Sequence, residues 1–256
     1  MGTRPGTRTG VVAFLLLLAA CSSAPVQPPD DAGSPAPSSA SAARSSPSAA
    51  SPSPSAGSDE PAPYVATVQR IGPALRHRMR FSHRPGCPVP LADLRYLRMT
   101  YVGFDGRAHT GELVTRADQA QGVTEVFRRL YDARWPLRRM VLVDDYDGDD
   151  DRSMAANNTS GFNCRRVAGG DHWSDHAYGA AIDLNPVQNP YVRPSVVQPP
   201  AGRRYAALDR SAAADVPAGV IHSDDVVVRA FARIGWAWGG DWSTAKDYQH
   251  FSTSGH

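Results

Sequence analysis

Lysine is almost absent from this chain of 256 residues, in which Lys246 is the single lysine. That lysine completes the string Ser243-Thr244-Ala245-Lys246, which fits the S-x-x-K nucleophile motif of serine carboxypeptidases. Those enzymes also need S-D-N and K-T-G motifs further along the chain, and the short remainder holds neither. A G-x-S-x-G motif is missing as well. These absences argue against the serine carboxypeptidases of the S-x-x-K type and against a G-x-S-x-G nucleophile.

The chain also lacks a strong charge of one sign and a long apolar run. Its formal net charge is +2, which gives no electrostatic bias toward nucleic acid, so no nucleic-acid partner is expected. The apolar run from residue 11 to 20 is about half the length that crosses a bilayer. It follows Arg4 and Arg8 and ends in small residues, which is the pattern of a secretory signal.

The end of that signal resembles the bacterial lipobox. The string Leu18-Ala19-Ala20-Cys21 places a cysteine where cleavage is expected. Residues 1–21 are therefore predicted to be a lipoprotein signal peptide, and Cys21 is the predicted lipidation site. The protein would then lie outside the cytoplasm, anchored to the cell membrane by lipid and facing the cell wall. The alternative is an ordinary cleaved signal with a cysteine there by chance.

Cysteine is scarce, with three in the whole chain. Setting Cys21 aside leaves Cys87 and Cys164, an even pair in an oxidising compartment. We therefore predict a disulfide between them; the alternative is two separate buried thiols.

The composition divides the rest of the chain in two. Residues 22–63 consist largely of Ser, Pro and Ala and contain almost no large apolar side chain, so they are predicted to be a disordered linker. Residues 64–256 are long enough to bury one hydrophobic core and are predicted to form a single domain, expected to be monomeric.

The hydrophobic periodicity of that domain mixes strands and helices without regular alternation. Strands are predicted around 97–102, 110–114, 139–143 and 180–184, and helices over 116–133 and 224–234. Thr115 and Ser223 are the expected N-caps, and Gly235 is the expected stop of the second helix. The predicted fold class is α+β, with a small, mainly antiparallel sheet and flanking helices.

Two segments carry the candidate metal-binding side chains. The first contains His176 and Asp183, and the second, near the C-terminus, contains Asp247 and His250. Catalytic zinc takes three protein ligands and keeps a position for water. His176, Asp183 and His250 would fill those three places, and Asp247 would take a proton from the water. Each histidine alone is more often a surface or core residue, but a carboxylate inside an apolar strand needs a partner.

The spacing Ser-x-His-x6-Asp, followed by Asp-x-x-His-Phe, resembles the M15 metallopeptidases, and the likeness is greatest for an extracytoplasmic, carboxypeptidase-like subgroup. Further segments resemble that subgroup, namely Gly86–Pro90, Gly103–Gly106, His109–Leu113, Asn158–Arg165, Asp183–Pro186 and Gln188–Pro190. Together with the paired motifs, the resemblance covers nearly all of residues 80–252.

The resemblance implies a zinc site of the hedgehog and DD-peptidase type. By residue match, His176, Asp183 and His250 are the zinc ligands and Asp247 is the catalytic acid/base, where many relatives have Glu. An upstream arginine would stabilise the oxyanion; Arg165 matches it, and Arg166 remains the alternative. The expected activity is hydrolysis of peptidoglycan stem peptides, as a D-Ala-D-Ala carboxypeptidase or an L-Ala-D-Glu-type endopeptidase. The alternative is a wall-binding module that contains zinc but does not hydrolyse.

Two other features have a plainer interpretation. The acidic run 144–151 fails the EF-hand pattern and is expected to be a solvated loop, which in this family could lie on the rim of the substrate cleft. Core packing is expected for Trp236, Trp238 and Trp242, with lining of the substrate pocket as the alternative for at least one of them. His172 is expected at the surface.

Overall fold

A computed structural model describes residues 62–255. The predicted signal peptide, Cys21 and all but the last two residues of the predicted linker lie outside the described residues. Among those described, the fold is α+β, with small antiparallel sheets and few helices, as predicted. The helices are α1 (Pro73–Arg78), α2 (Ala120–Asp132), α3 (Asp150–Ala155) and α4 (Val226–Ala232). No helix in this part of the chain is long and apolar enough to cross a bilayer.

Ten strands form three sheets in the described part. They are β1 (Ala66–Arg70), β2 (Leu94–Gly103), β3 (Ala108–Arg116), β4 (Pro136–Leu137), β5 (Ala181–Asp183), β6 (Tyr191–Arg193), β7 (Val196–Gln198), β8 (Ala237–Trp238), β9 (Lys246–Asp247) and β10 (His250–Ser252). The first sheet has the order β1-β2-β3, and β4 adds to the far end of β2 in parallel. The second has the order β5-β10-β8 and the third β7-β6-β9, both antiparallel.

The hairpin of β2 and β3 forms the framework of the first sheet. Its register runs without a break from Leu94 opposite Arg116 to Val102 opposite Ala108. Both strands were predicted, and both are longer than the sequence pattern indicated. Helix α2 packs on this sheet through buried side chains that share one face, namely Val123, Val126, Phe127 and Leu130. The same core contains the aromatic side chains of α4 and β10.

Both predicted helices exist, but neither predicted N-cap is correct. Thr115 still belongs to β3, and its hydroxyl donates to the carbonyl oxygen of Gly179 at 2.7 Å, so α2 begins only at Ala120. In α4 the cap is Asp225, whose side chain accepts from the backbone N–H of Val227. Asp225, two positions after Ser223, is therefore the N-cap, because its side-chain oxygen reaches the first turn of α4.

The predicted strand 139–143 is wrong. Met140 makes one isolated bridge with Thr159, after which the chain turns into a short 3₁₀ helix, Val143–Tyr146. The expectation of a solvated acidic loop is also wrong in part, because Asp144 is buried. Its Oδ1 accepts from the backbone N–H groups of Phe81 and Ser82 at 2.9 and 3.0 Å. Those two bonds anchor the acidic segment to the chain before it.

The predicted disulfide is present and joins Cys87 to Cys164 across 77 residues of sequence. It ties the loop after α1 to the segment that runs past the candidate site. Both cysteines contact a second, smaller hydrophobic cluster built around Leu94, Tyr96 and Phe162. Cross-linking so long a loop restricts the unfolded chain strongly.

Replacing both Cys87 and Cys164 with alanine is expected to lower the free energy of unfolding by about 4 kcal/mol, because the unfolded chain regains the entropy of that loop. Urea unfolding of the double variant and of the oxidised wild type measures the difference. A change below about 1 kcal/mol would show that the bridge contributes little to stability.

Candidate metal centre

His176 lies in a short 3₁₀ turn, Asp175–Tyr178, whose two ends are fixed by their sequence. Ser174 caps the start, with its hydroxyl accepting from the backbone N–H of His176 at 3.4 Å. Gly179 ends the turn with φ of +63°, and a Cβ there would lie 2.7 Å from the backbone nitrogen of Arg116. Glycine is therefore required, both for the left-handed conformation and for the close approach to β3.

A second segment runs beside this turn and holds it in place. The backbone N–H of Asn163 donates to the carbonyl of His176 at 3.1 Å, and that of Ser174 donates to the carbonyl of Arg165 at 3.1 Å. The carbonyl of Gly161 accepts from Nδ1 of His176 at 2.7 Å. This last bond places the proton on Nδ1 and leaves the lone pair of Nε2 facing the site. Such a partner on the far ring nitrogen is typical of metal-binding histidines.

Asp183 and His250 are brought together by strand pairing. Asp183 ends β5 and His250 begins β10, and the two residues lie directly opposite each other in the antiparallel ladder. Side chains of opposite residues lie on the same face of a sheet. Ser160 pairs with Asp183 on its other side through two backbone hydrogen bonds of 2.9 and 3.0 Å. The carboxylate is therefore fixed from both edges of its strand.

The three predicted ligands converge in the interior. Nε2 of His176 lies 3.1 Å from Oδ2 of Asp183, and Nδ1 of His250 lies 3.0 Å from Oδ1 of the same carboxylate. The two ring nitrogens are 3.3 Å apart. All three residues are at most 6% exposed, and their candidate ligand atoms lie within 4.8 Å of one another.

The charges on His176, Asp183 and His250 favour a cation between these side chains. Burial lowers the pKa of His176, but the carboxylate of Asp183 outweighs it and leaves that pKa raised. Burial raises the pKa of Asp183, yet the two imidazoles hold it well below its usual range. Two imidazole nitrogens that face one ionised carboxylate at such distances need a shared positive charge. A proton or a metal ion between them would supply it.

Asp247 lies beside this cluster, although it belongs to another sheet. It is in β9, opposite Tyr191, and three residues before His250. Burial raises the pKa of Asp247 to about 7, with a smaller raising effect from Asp183 and a lowering one from His250. Its Oδ1 is buried and has no hydrogen-bond partner within residues 62–255. Such an oxygen has a large desolvation cost unless a substrate, water or ion meets it.

Gly239 lets the chain pass close to both Asp247 of β9 and His250 of β10. A Cβ at this position would lie 2.6 Å from the carbonyl oxygen of Asp247 and 3.3 Å from the Cβ of His250. The residue lies in the string Trp238-Gly239-Gly240-Asp241. Glycine is needed here because of the contacts with Asp247 and His250, which the residues next to Gly239 in the sequence do not reveal.

Gly239→Ala is accordingly expected to displace Asp247 and His250 and to lower zinc affinity by about 10–100-fold, as for lost outer contacts of metal ligands. Overpacking should also reduce the free energy of unfolding by about 1–3 kcal/mol. Gly72→Ala is the matched control, since a Cβ there meets nothing within 4 Å. Zinc titration and urea unfolding of both variants test this, and equal behaviour of the two would contradict it.

The two candidate arginines behave differently. Arg165 forms an ion pair with Asp150, with Nη2 and Oδ2 2.7 Å apart, and its charge reaches the imidazole of His176. Arg166 turns away and lies over the ring of Trp173, with its guanidinium carbon 3.9 Å from the ring centre. It also donates to the carbonyl of Asp171.

The three tryptophans have different surroundings, since two lie in the core and one lies near a candidate ligand. Trp236 and Trp238 are buried in the main core. Trp242 is half-buried and its ring centre lies 5.6 Å from that of His250, so it forms part of the wall of the site. Its Nε1 donates to the carbonyl of Gly255 at 2.9 Å, which fixes the ring. His172 is exposed, as expected.

Two imidazoles and one carboxylate around a common point are a donor set of mononuclear zinc hydrolases. The residues fit such an ion because their lone pairs converge in a buried space and Gly161 fixes the ring of His176 from behind. The site therefore has the form of a metal-dependent hydrolase centre.

Comparison with known families agrees with this geometry. A family model described as D-alanyl-D-alanine carboxypeptidase matches residues 168–253, a stretch that contains the His176/Asp183/His250 cluster and Asp247. The match supports the predicted resemblance to the M15 peptidases over this segment. A search of curated proteins gave no match. Neither did a search of solved structures.

Proposed function

We propose that this protein is a zinc-dependent peptidase that hydrolyses the stem peptides of peptidoglycan. The observation that carries the proposal is the buried convergence of His176, Asp183 and His250 with Asp247 beside them. A metal site alone would suit a binding module equally well. Hydrolysis needs a proton acceptor beside that site in addition, and half-buried Asp247 offers a buried Oδ1 that has no hydrogen-bond partner among the described residues.

His176, Asp183 and His250 would hold the ion, through Nε2 of the first, a carboxylate oxygen of the second and Nδ1 of the third. When bound, zinc would polarise the scissile carbonyl and lower the pKa of a water molecule in the open position. The protein's part is to keep the three ligands rigid: two are fixed by the β5–β10 ladder and one by the capped turn.

Asp247 would act as the general base and acid. Its raised pKa, about 7, lets the carboxylate accept a proton from the attacking water and release it to the leaving amine at neutral pH. Its free Oδ1 is the atom that would take the proton. Aspartate reaches one methylene less far than the glutamate of many relatives, and the close contact at Gly239 brings its strand nearer to the ligands.

Arg165 would stabilise the negative oxygen that develops on the substrate carbonyl. Its charge already acts on His176, and a preorganised cation or donor at such a position contributes a few kcal/mol, or about 10²–10³ in rate.

The family description names D-alanyl-D-alanine carboxypeptidase, and the proposed substrates are therefore stem peptides that end in, or contain, D-amino acids. A lipid anchor at Cys21 and the Ser/Pro/Ala-rich linker would hold the peptidase outside the membrane, close to the wall. Both parts of this proposal about location rest on the sequence alone.

Digestion of purified muropeptides tests the function. Mass spectrometry should show loss of one D-Ala from pentapeptides, or cleavage between L-Ala and D-Glu, and either product identifies the bond. Chelation should stop the reaction and added zinc should restore it. Binding of muropeptides without any product would support the wall-binding module instead.

A further inference from the structure

One residue of the acidic run 144–151 forms an ion pair with Arg165. Asp150 is the first residue of α3, and its Oδ2 lies 2.7 Å from Nη2 of Arg165. The side chains of the pair are 23% and 26% exposed, whereas those of the nearby pair Asp147 and Arg152 are 61% and 57% exposed. Solvent screens this partly buried pair less, so it restrains the arginine more than a fully exposed pair would.

The helix that carries Asp150 is itself held against the segment that carries Arg165. Asn158 donates from Nδ2 to Oγ of Ser153 at 3.0 Å, and Asn163 donates from Nδ2 to the carbonyl of Gly148 at 3.3 Å. Asp149 caps the helix by accepting from the backbone N–H of Arg152 at 3.0 Å. The carboxylate of Asp150 is therefore presented from a fixed backbone.

Arg165 has a fixed backbone and a long, flexible side chain. Its carbonyl accepts from Ser174, the residue that caps the turn of His176, and the disulfide at Cys164 restrains the preceding residue. An arginine side chain still carries about 2 kcal/mol of rotamer entropy. The ion pair with Asp150 is its one charged contact among the described residues. Both charges act on the imidazole of His176, in opposite directions, so the pair lies within electrostatic reach of the ligands.

We propose that Asp150 is a positioning residue, which holds the guanidinium of Arg165 beside the metal ligands in the orientation that the substrate oxyanion requires. The inference rests on the proposed peptidase function and adds a residue that lies outside the segment matched by the family model. Asp150 would touch neither substrate nor metal, and its whole effect would pass through Arg165.

A double-mutant cycle tests this on the zinc-loaded, full-length protein. Asp150→Asn is expected to lower kcat/KM for a muropeptide about tenfold. This is less than the loss expected when the oxyanion donor itself is removed, because the arginine remains but is less well oriented. Combined with Arg165→Ala, the same substitution should change kcat/KM less than twofold, since no guanidinium remains to be positioned. Asp151→Asn is the matched control in the same helical turn and should leave kcat/KM at the wild-type value. Equal losses from Asp150→Asn in both backgrounds would overturn the proposal.

A second readout does not depend on turnover. The guanidinium NMR signals of Arg165, assigned by their absence in Arg165→Ala, should show slow rotation about the Nε–Cζ bond in the wild type and fast rotation in Asp150→Asn. Unchanged rotation in Asp150→Asn would overturn the positioning role. Zinc content should be equal in all variants.

A wild type that cleaves no peptide refutes the proposed function, and the NMR comparison then decides the Asp150–Arg165 pairing by itself.

Discussion

His176→Ala is expected to remove zinc and peptidase activity together. The imidazole is one of three predicted ligands, and its Nε2 lies 3.1 Å from the carboxylate of Asp183 in a buried site. Loss of an outer partner of a metal ligand already costs about 10–100-fold in affinity, so loss of the ligand itself should exceed 100-fold. Without the ion, Asp183 and His250 retain a carboxylate and an imidazole that cannot activate water.

Two measurements check this result, namely zinc content by mass spectrometry of the purified protein and the rate of muropeptide hydrolysis. His172→Ala is the matched control, because this exposed histidine lies only four residues earlier. It should keep both zinc and activity. An active His176→Ala variant, or one that still binds one zinc per chain with unchanged affinity, would contradict the assignment.

Asp247→Asn is expected to separate chemistry from metal binding. The substitution keeps the size of the side chain but removes the base, so kcat should fall by about 10²–10⁴-fold while one zinc per chain remains. Asp247→Glu should recover part of the rate, because the carboxylate is restored with a different reach. Asp241→Asn, which alters an exposed carboxylate in the neighbouring turn, serves as the control. Loss of zinc in Asp247→Asn equal to that in His176→Ala would refute the division of roles.

The pH dependence of the wild type follows from the same residue. Burial raises the pKa of Asp247 to about 7, and the base works only when it has lost its proton. Activity should therefore fall as the pH drops through that pKa. The positive charge of a bound zinc ion lowers the pKa of a nearby carboxyl, which moves the acid limb of kcat/KM to or below about pH 7. The limb should be absent from the residual activity of Asp247→Asn.

The convergence of three predicted side chains could be anticipated from the sequence better than the elements that carry them. Residue type and spacing pointed to His176, Asp183 and His250, because a carboxylate inside an apolar strand needs a partner and the spacing resembles that of the M15 metallopeptidases. The pattern could not reveal that Asp183 faces His250 across a ladder, since pairing between strands 67 residues apart depends on the whole fold. The structure thus adds the reason that these particular side chains meet.

Local propensity failed where tertiary contacts decided the backbone. Residues 139–143 look like a strand, yet Met140 makes only one bridge, because Asp144 pulls the chain into a turn by accepting two backbone hydrogen bonds. Thr115 looks like a helix cap, yet its hydroxyl is used by Gly179. In both cases a polar side chain found a partner far along the chain. The supporting roles of the Gly161 carbonyl and of Asp150 were invisible for the same reason.

X-ray diffraction from zinc-soaked crystals of the wild type, collected on both sides of the zinc absorption edge, tests the central claim most directly. One anomalous peak is predicted between Nε2 of His176, the carboxylate of Asp183 and Nδ1 of His250, at about 2.0–2.2 Å from each ligand atom. A zinc peak at another place, or a cluster of these three side chains without any peak at saturating zinc, would contradict the account.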